Sequence, residues 1–249
     1  MNALADRRRF GSLAARAAGV LALALAAPVW TGCEDGGDGS SADVGSNDIN
    51  VAVALGDSIT QGGYPSILAG ITGKTVVDAG VGGTQASSGA GRIGGLLARH
   101  HPGFVLILYG ANDIINDVAR ETTVANLRAM IQAAKGNMTI PVIATLTPMS
   151  GSHGIFEPNV EALNEQIRSL ASSDGARLAN LAGAFGDPGL IGPDGLHPTS
   201  AGNNVIASVF AGKIGNRVEP KAPPPAEAPK TSNPAEESAA ETGPIDLSL

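Results

Sequence analysis

The chain has 249 residues, 43% of them hydrophobic, which suits one medium globular domain or two small ones. Its formal charge of −7 is unevenly placed: residues 34–48 carry five acids and no base, residues 219–249 six acids against two lysines, and residues 49–218 eleven acids and ten bases. The central stretch is therefore balanced, which removes the electrostatic case for a nucleic-acid partner or for an acidic steering field.

In chain order, the first feature is "DRRRFGSLAARAAGVLALALAAPVWTGC", with a basic start, an apolar stretch from Ala14 to Val29 and small residues before Cys33. That is the architecture of an export signal over residues 1–32, and Arg7-Arg8 resembles a twin-arginine address. The apolar stretch is short and alanine-rich for a permanent transmembrane span. Cys33 is the only cysteine, so no internal disulfide can form. Thr31-Gly32-Cys33 resembles a bacterial lipobox, with Trp30 where that motif prefers leucine. Lipidation at Cys33 and attachment to a membrane are the expectation, and an ordinary cleavable signal is the alternative. Residues 33–48 then read as a flexible acidic linker, and residues 218–249, rich in Pro, Ala and Glu, as a disordered tail.

Between them, residues 49–217 alternate. Nearly continuous apolar runs predict strands at Asn50–Leu55, Thr75–Ala79, Phe104–Tyr109, Val142–Leu146 and Arg177–Leu181, as expected where both sheet faces are covered. Val124, Leu127, Ile131 and Ala134 share one helical face, as do Val160, Leu163, Ile167 and Leu170; residues 92–101 and 200–214 are also helical in pattern. Five strands alternating with helices give an α/β domain with a parallel sheet. "GAGRIG" at 89–94 satisfies a dinucleotide-binding pattern, but it lies ten residues past Ala79 rather than at the turn after a strand, so no cofactor is implied. No cluster has metal-ligand spacing.

In open parallel sheets, ligands bind outside the carboxyl ends of the strands. There the chain carries "GDSIT" at 56–60, "DAGVGGT" at 78–84, "YGANDI" at 109–114 and, further on, "GPDGLHPTSAG" at 192–202. A serine hydroxyl needs a base to become a nucleophile, and the His197 imidazole is the candidate base. Asp194 can hold the His197 ring in the required tautomer. Fixed donors for an oxyanion are available from the Ser58 N–H at an expected helix start, a glycine N–H near Gly83 and the Asn112 amide. Asp57 and Asp113 read as structural. Tyr64, Tyr109 and His153 are candidates for substrate contact, and His153 rivals His197 as the base because its loop also follows a strand. An alternative for Ser58 alone is a helix N-cap.

"GDSIT", "GVGG", "GAND" and "DGLHP", in this order over residues 51–212, resemble the four blocks of the SGNH hydrolases, the GDSL-type esterases and lipases. The resemblance implies a three-layer αβα sandwich around a flavodoxin-like five-stranded parallel sheet. It also implies Ser58 as nucleophile, His197 as base, Asp194 as orienting acid, and Ser58, Gly83 and Asn112 as oxyanion donors. Gly80 and Gly82 compete with Gly83, which is preferred because it follows Asp78 by five residues. The expected function is hydrolysis of a lysophospholipid, thioester or small acyl ester through an acyl-enzyme, by an exported protein of the cell envelope. Deacetylation of an envelope or extracellular polysaccharide is the alternative, and a non-catalytic binding lipoprotein is the reading from another class. Loss of Trp30 with the signal leaves no indole for sugar stacking, which favours acyl chains or small esters.

Overall fold

The computed structural model describes residues 43–218. The expected signal, Cys33, most of the linker and residues 219–249 lie outside the described residues. Five parallel strands form one sheet in the order β2-β1-β3-β4-β5, where β1 is Asp48–Gly56, β2 Thr75–Gly80, β3 Pro102–Leu108, β4 Ile140–Ala144 and β5 Arg177–Ala179. Helices α1 (Tyr64–Thr72) and α7 (Ser200–Ile214) pack on one another. Helix α2 (Ala86–His100) packs on α4 (Arg120–Gly136), which in turn packs on α5 (Glu157–Asp174). The short helices α3 (Ala111–Ile115) and α6 (Leu181–Ala184) follow β3 and β5. The result is the expected αβα sandwich.

The expected strand signal holds where burial is two-sided. Ala52–Leu55 and the whole of β3 are buried, and their side chains form the core with Leu127, Ile131, Ile167 and Phe210. Strand ends differ where polar side chains intervene. β4 stops at Ala144 because Asn164 donates to the Leu146 carbonyl and accepts from the Leu146 N–H, taking the place of a neighbouring strand. β5 stops at Ala179 because the Asn180 side chain caps α6, so Leu181 falls in a helix. The unexpected element is α1. Its buried stripe of Tyr64, Leu68 and Thr72 includes a threonine and is interrupted by Pro65 and Gly70, which blurs an apolar period. "GAGRIG" lies inside α2, away from any strand-to-helix turn.

The register positions the site. Gly56 of β1 pairs with Gly80 of β2 and with Leu108 of β3, so three strands end level. The loops after them emerge side by side on one edge, where side chains distant in sequence can meet. Among the described residues, no helix is long and apolar enough to cross a membrane.

Candidate active site

The loop after β1 turns immediately around Asp57, whose carbonyl accepts from the N–H groups of Thr60 and Gln61 at 3.2 and 3.0 Å. This tight turn lifts Ser58 to the carboxyl edge of the sheet. The helix that follows starts only at Tyr64, after Gly63, so Ser58 caps no helix and its N–H does not lie at a helix start. That corrects both expectations. The Ser58 side chain instead meets the loop before α7: its Oγ lies 2.9 Å from His197 Nε2.

His197 Nδ1 lies 2.6 Å from Asp194 Oδ2. Asp194 Oδ1 accepts from the N–H groups of Leu196 and His197, each at 3.0 Å. Three donors thus converge on one carboxylate, and they explain the three-residue spacing: a single turn brings the His197 ring back onto Asp194. The hydrogen bond from His197 is the chief reason the Asp194 carboxyl is held down at about 2, the Leu196 N–H adding to it. The carboxylate stays ionised throughout the range in which the imidazole can shuttle a proton.

The glycine loop after β2 passes the serine, a Cβ at Gly82 standing 3.8 Å from Ser58 Cβ. Asp78 Oδ1 binds the Gly80 N–H at 2.9 Å and Gln61 Oε1 binds the Gly82 N–H at 2.8 Å. The Gly83 N–H, by contrast, has no acceptor among the described residues, which separates it from its two rivals. Gly83 has φ +72°, a left-handed turn conformation that suits glycine. The Ser58 N–H likewise has no acceptor among the described residues. The Asn112 Nδ2 group donates to the Thr84 carbonyl at 3.1 Å and to Asp57 Oδ2 at 3.3 Å. It therefore stands between the glycine loop and the turn beneath Ser58.

Asp57 and Asp113 are buried and structural, as expected. Asp113 accepts from the Ala86 N–H and the Thr123 hydroxyl, tying α3 to the starts of α2 and α4. Asp57 accepts from the Ile59 N–H at 3.0 Å as well as from Asn112. Burial pushes its carboxyl up from 3.8 to about 6, against the lowering effect of the Ile59 N–H and His197. A carboxyl with a raised folded-state pKa stabilises the fold below its unfolded value and loses that contribution as pH rises through the folded value. Relative to Asp57→Asn, the wild type is therefore expected to lose about 3 kcal/mol of stability between pH 3.8 and 6. Denaturant titrations of the pair across that window read it directly. A constant difference between the two proteins would contradict it. Asp194 acts oppositely, losing its contribution below 3.8 as it is protonated, and subtracting the two proteins' curves cancels it.

Two expected substrate contacts are corrected. Tyr64 is fully buried, stacked on Phe210 with ring centroids 5.0 Å apart. Tyr109 is 1% exposed, and its hydroxyl accepts from Arg92 Nη2 at 2.6 Å. Both face the core, Tyr64 from the buried stripe of α1 and Tyr109 from the position just after β3, where Arg92 meets its hydroxyl. His153 does not reach Ser58, which is paired with His197. Its Nδ1 lies 2.7 Å from the Asp194 carbonyl oxygen.

A parallel αβα sandwich that joins a serine, an imidazole and a carboxylate at its carboxyl edge brings together the groups that acyl transfer requires. A profile of the GDSL-like lipase/acylhydrolase family matches residues 54–205, and the chain belongs to that family of esterases and acylhydrolases. No curated protein matches the chain. The fold is shared with a GDSL-like lipase from Bacteroides thetaiotaomicron VPI-5482, at 19% identity over 67% of this chain and 88% of that one, with a TM-score of 0.60. It is shared equally with Axe2, an acetylxylan esterase from Geobacillus stearothermophilus, at 18% identity over 67% and 94% of the two chains and a TM-score of 0.60. A G-D-S-L family protein from Desulfitobacterium hafniense DCB-2 aligns at 24% identity over 66% and 99%, with a TM-score of 0.58.

Proposed function

We propose that the protein is a serine esterase working through an acyl-enzyme. The observation that carries this is the unbroken chain Ser58 Oγ, His197 Nε2, His197 Nδ1, Asp194 Oδ2, with steps of 2.9 and 2.6 Å. As Ser58 Oγ attacks the ester carbonyl, His197 Nε2 takes its proton, and Asp194 stabilises the resulting imidazolium. The tetrahedral oxyanion is held by the N–H groups of Ser58 and Gly83 and by the Asn112 amide. Collapse expels the alcohol, which leaves with the proton returned by His197. Water then repeats the sequence on the acyl-Ser58 bond and releases the acid. A fluorophosphonate probe tests this: wild type is expected to label covalently and Ser58→Ala not. Equal labelling of the two would remove Ser58 as the nucleophile.

The substrate class that fits best is an acyl or small carboxylic ester. Burial of Tyr64 and Tyr109 withdraws the two tyrosines from sugar stacking, which supports this reading over an acetylated polysaccharide. A panel of short-chain, long-chain and acetyl-sugar esters is expected to give its highest kcat/KM on an unglycosylated acyl ester. A preference for acetyl-sugar would transfer the assignment to carbohydrate deacetylation. Export and attachment through lipidated Cys33 complete the reading, supported by the basic start, the apolar stretch and the Thr31-Gly32-Cys33 sequence.

A further inference from the structure

Asp194 and His197 are unusually open for a proton-transfer pair, with side chains 48% and 46% exposed. Core packing therefore does little to fix them, and polar bonds to their loop must supply the alignment. Within the loop, the Gly192 N–H donates to the His197 carbonyl at 2.7 Å and the Gly195 N–H to the Gly192 carbonyl at 2.9 Å. These close residues 192–197 into a compact turn but do not attach it to the rest of the molecule.

Attachment comes from the segment after β4. The Ser150 N–H donates to the Gly195 carbonyl at 2.8 Å. Gly195 has φ +76°, and a Cβ there would stand 1.9 Å from the Ser150 carbonyl oxygen, so the two backbones are in direct contact. Next to this contact, His153 Nδ1 meets the Asp194 carbonyl oxygen at 2.7 Å, and the Ser152 hydroxyl reaches the same oxygen at a longer 3.4 Å. A carbonyl can only accept, so Nδ1 of His153 carries the proton in this bond. Of the side chains on this segment, His153 makes the short bond to the residue whose carboxylate orients His197.

We propose that His153 is a positioning residue for the acid–base pair: its Nδ1–H pins the Asp194 carbonyl to the segment after β4 and so holds the Asp194 carboxylate on His197. This rests on the serine-esterase reading above. The bond anchors the peptide group of Asp194 while the carboxylate of the same residue holds the ring. Its loss lets the loop shift relative to Ser58 without unfolding anything, because His153 is only partly buried and lies in a short surface turn. Misalignment of a proton-transfer pair affects the chemical step and leaves ground-state binding largely intact.

Three variants test it, using kcat, KM, the rate of fluorophosphonate labelling and the thermal midpoint. His153→Ala is expected to lower kcat and the labelling rate roughly tenfold, the scale of one lost hydrogen bond, with KM and midpoint close to wild type. His153→Asn places an amide N–H near the position of Nδ1 and is expected to restore most of the rate. His153→Gln places its N–H one bond further out and is expected to behave like His153→Ala. If His153→Ala labels at the wild-type rate, or if Asn and Gln are equivalent, His153 does not position the pair. A fall in midpoint matching the fall in rate, with no rescue by Asn, would make it a fold residue and also overturn the proposal. An inert wild type would instead sink the serine-esterase reading itself, an outcome distinct from those in which wild type labels and the variants decide.

Discussion

Ser58→Ala is expected to lower kcat/KM on an ester substrate on the order of 10⁵-fold, with His197→Ala close behind and the double variant no worse than either. Non-additivity is the informative part. In the proposed mechanism Ser58 Oγ and His197 Nε2, 2.9 Å apart, share a single proton transfer, so removing either partner would abolish the same step. Asp194→Asn should be less severe, about 10⁴-fold, because the ring remains but its preferred tautomer is lost. The three carboxylate bonds at 2.6, 3.0 and 3.0 Å indicate why the loss stays large even at an exposed residue: turn geometry and ring orientation depend on the same side chain. Steady-state kinetics on an activated ester would check all four proteins. Additive losses in the double variant would mean that Ser58 and His197 act in separate steps.

The architecture behind this prediction was legible because a buried parallel strand has few ways to be written. "VAVAL" and "FVLIL" are apolar on both faces, and each is followed at once by glycine or tyrosine and then by polar residues, so strand ends and loop starts could be placed. The Asp194–His197 pair was equally legible, since a three-residue spacing around Gly195 is local geometry. What escaped was set by long-range packing. Tyr64 reads as a candidate for substrate contact, but α1 carries it under α7 onto Phe210, a contact across 146 positions that no local pattern encodes. Tyr109 likewise directly follows an apolar strand, where its polar tip would suggest a surface, yet Arg92 from α2 provides an interior partner. The role of His153 depends on a loop 41 residues away. Its position after a strand was the only signal, and that signal pointed to the base rather than to the carbonyl it meets. For the three competing glycines, the difference lies in side chains that no glycine pattern encodes: Asp78 and Gln61 occupy the N–H groups of Gly80 and Gly82.

Asn112→Ala is expected to reduce kcat roughly 10²-fold while leaving KM within a small factor, because an oxyanion donor acts mainly on charge that develops after binding. Asn112 carries two amide hydrogens, and both are engaged at rest, by Thr84 O at 3.1 Å and Asp57 Oδ2 at 3.3 Å. Both bonds are long, so one can be yielded or shared as negative charge appears on the substrate oxygen. The loss should therefore fall at the lower end of the range for a preorganised donor, since part of the gain is offset by the bond given up. The Thr84 bond also steadies the turn that carries Gly83, so alanine weakens two donors together. Asn112→Asp separates the electrostatic from the steric contribution. It keeps the shape of the side chain, replaces the donor by an acceptor and sets a second carboxylate against Asp57, so its kcat should fall below that of the alanine variant. If Asn112→Asp matched wild type, or if either substitution raised KM in proportion to its effect on kcat/KM, the amide would serve substrate binding or loop structure and not the developing oxyanion.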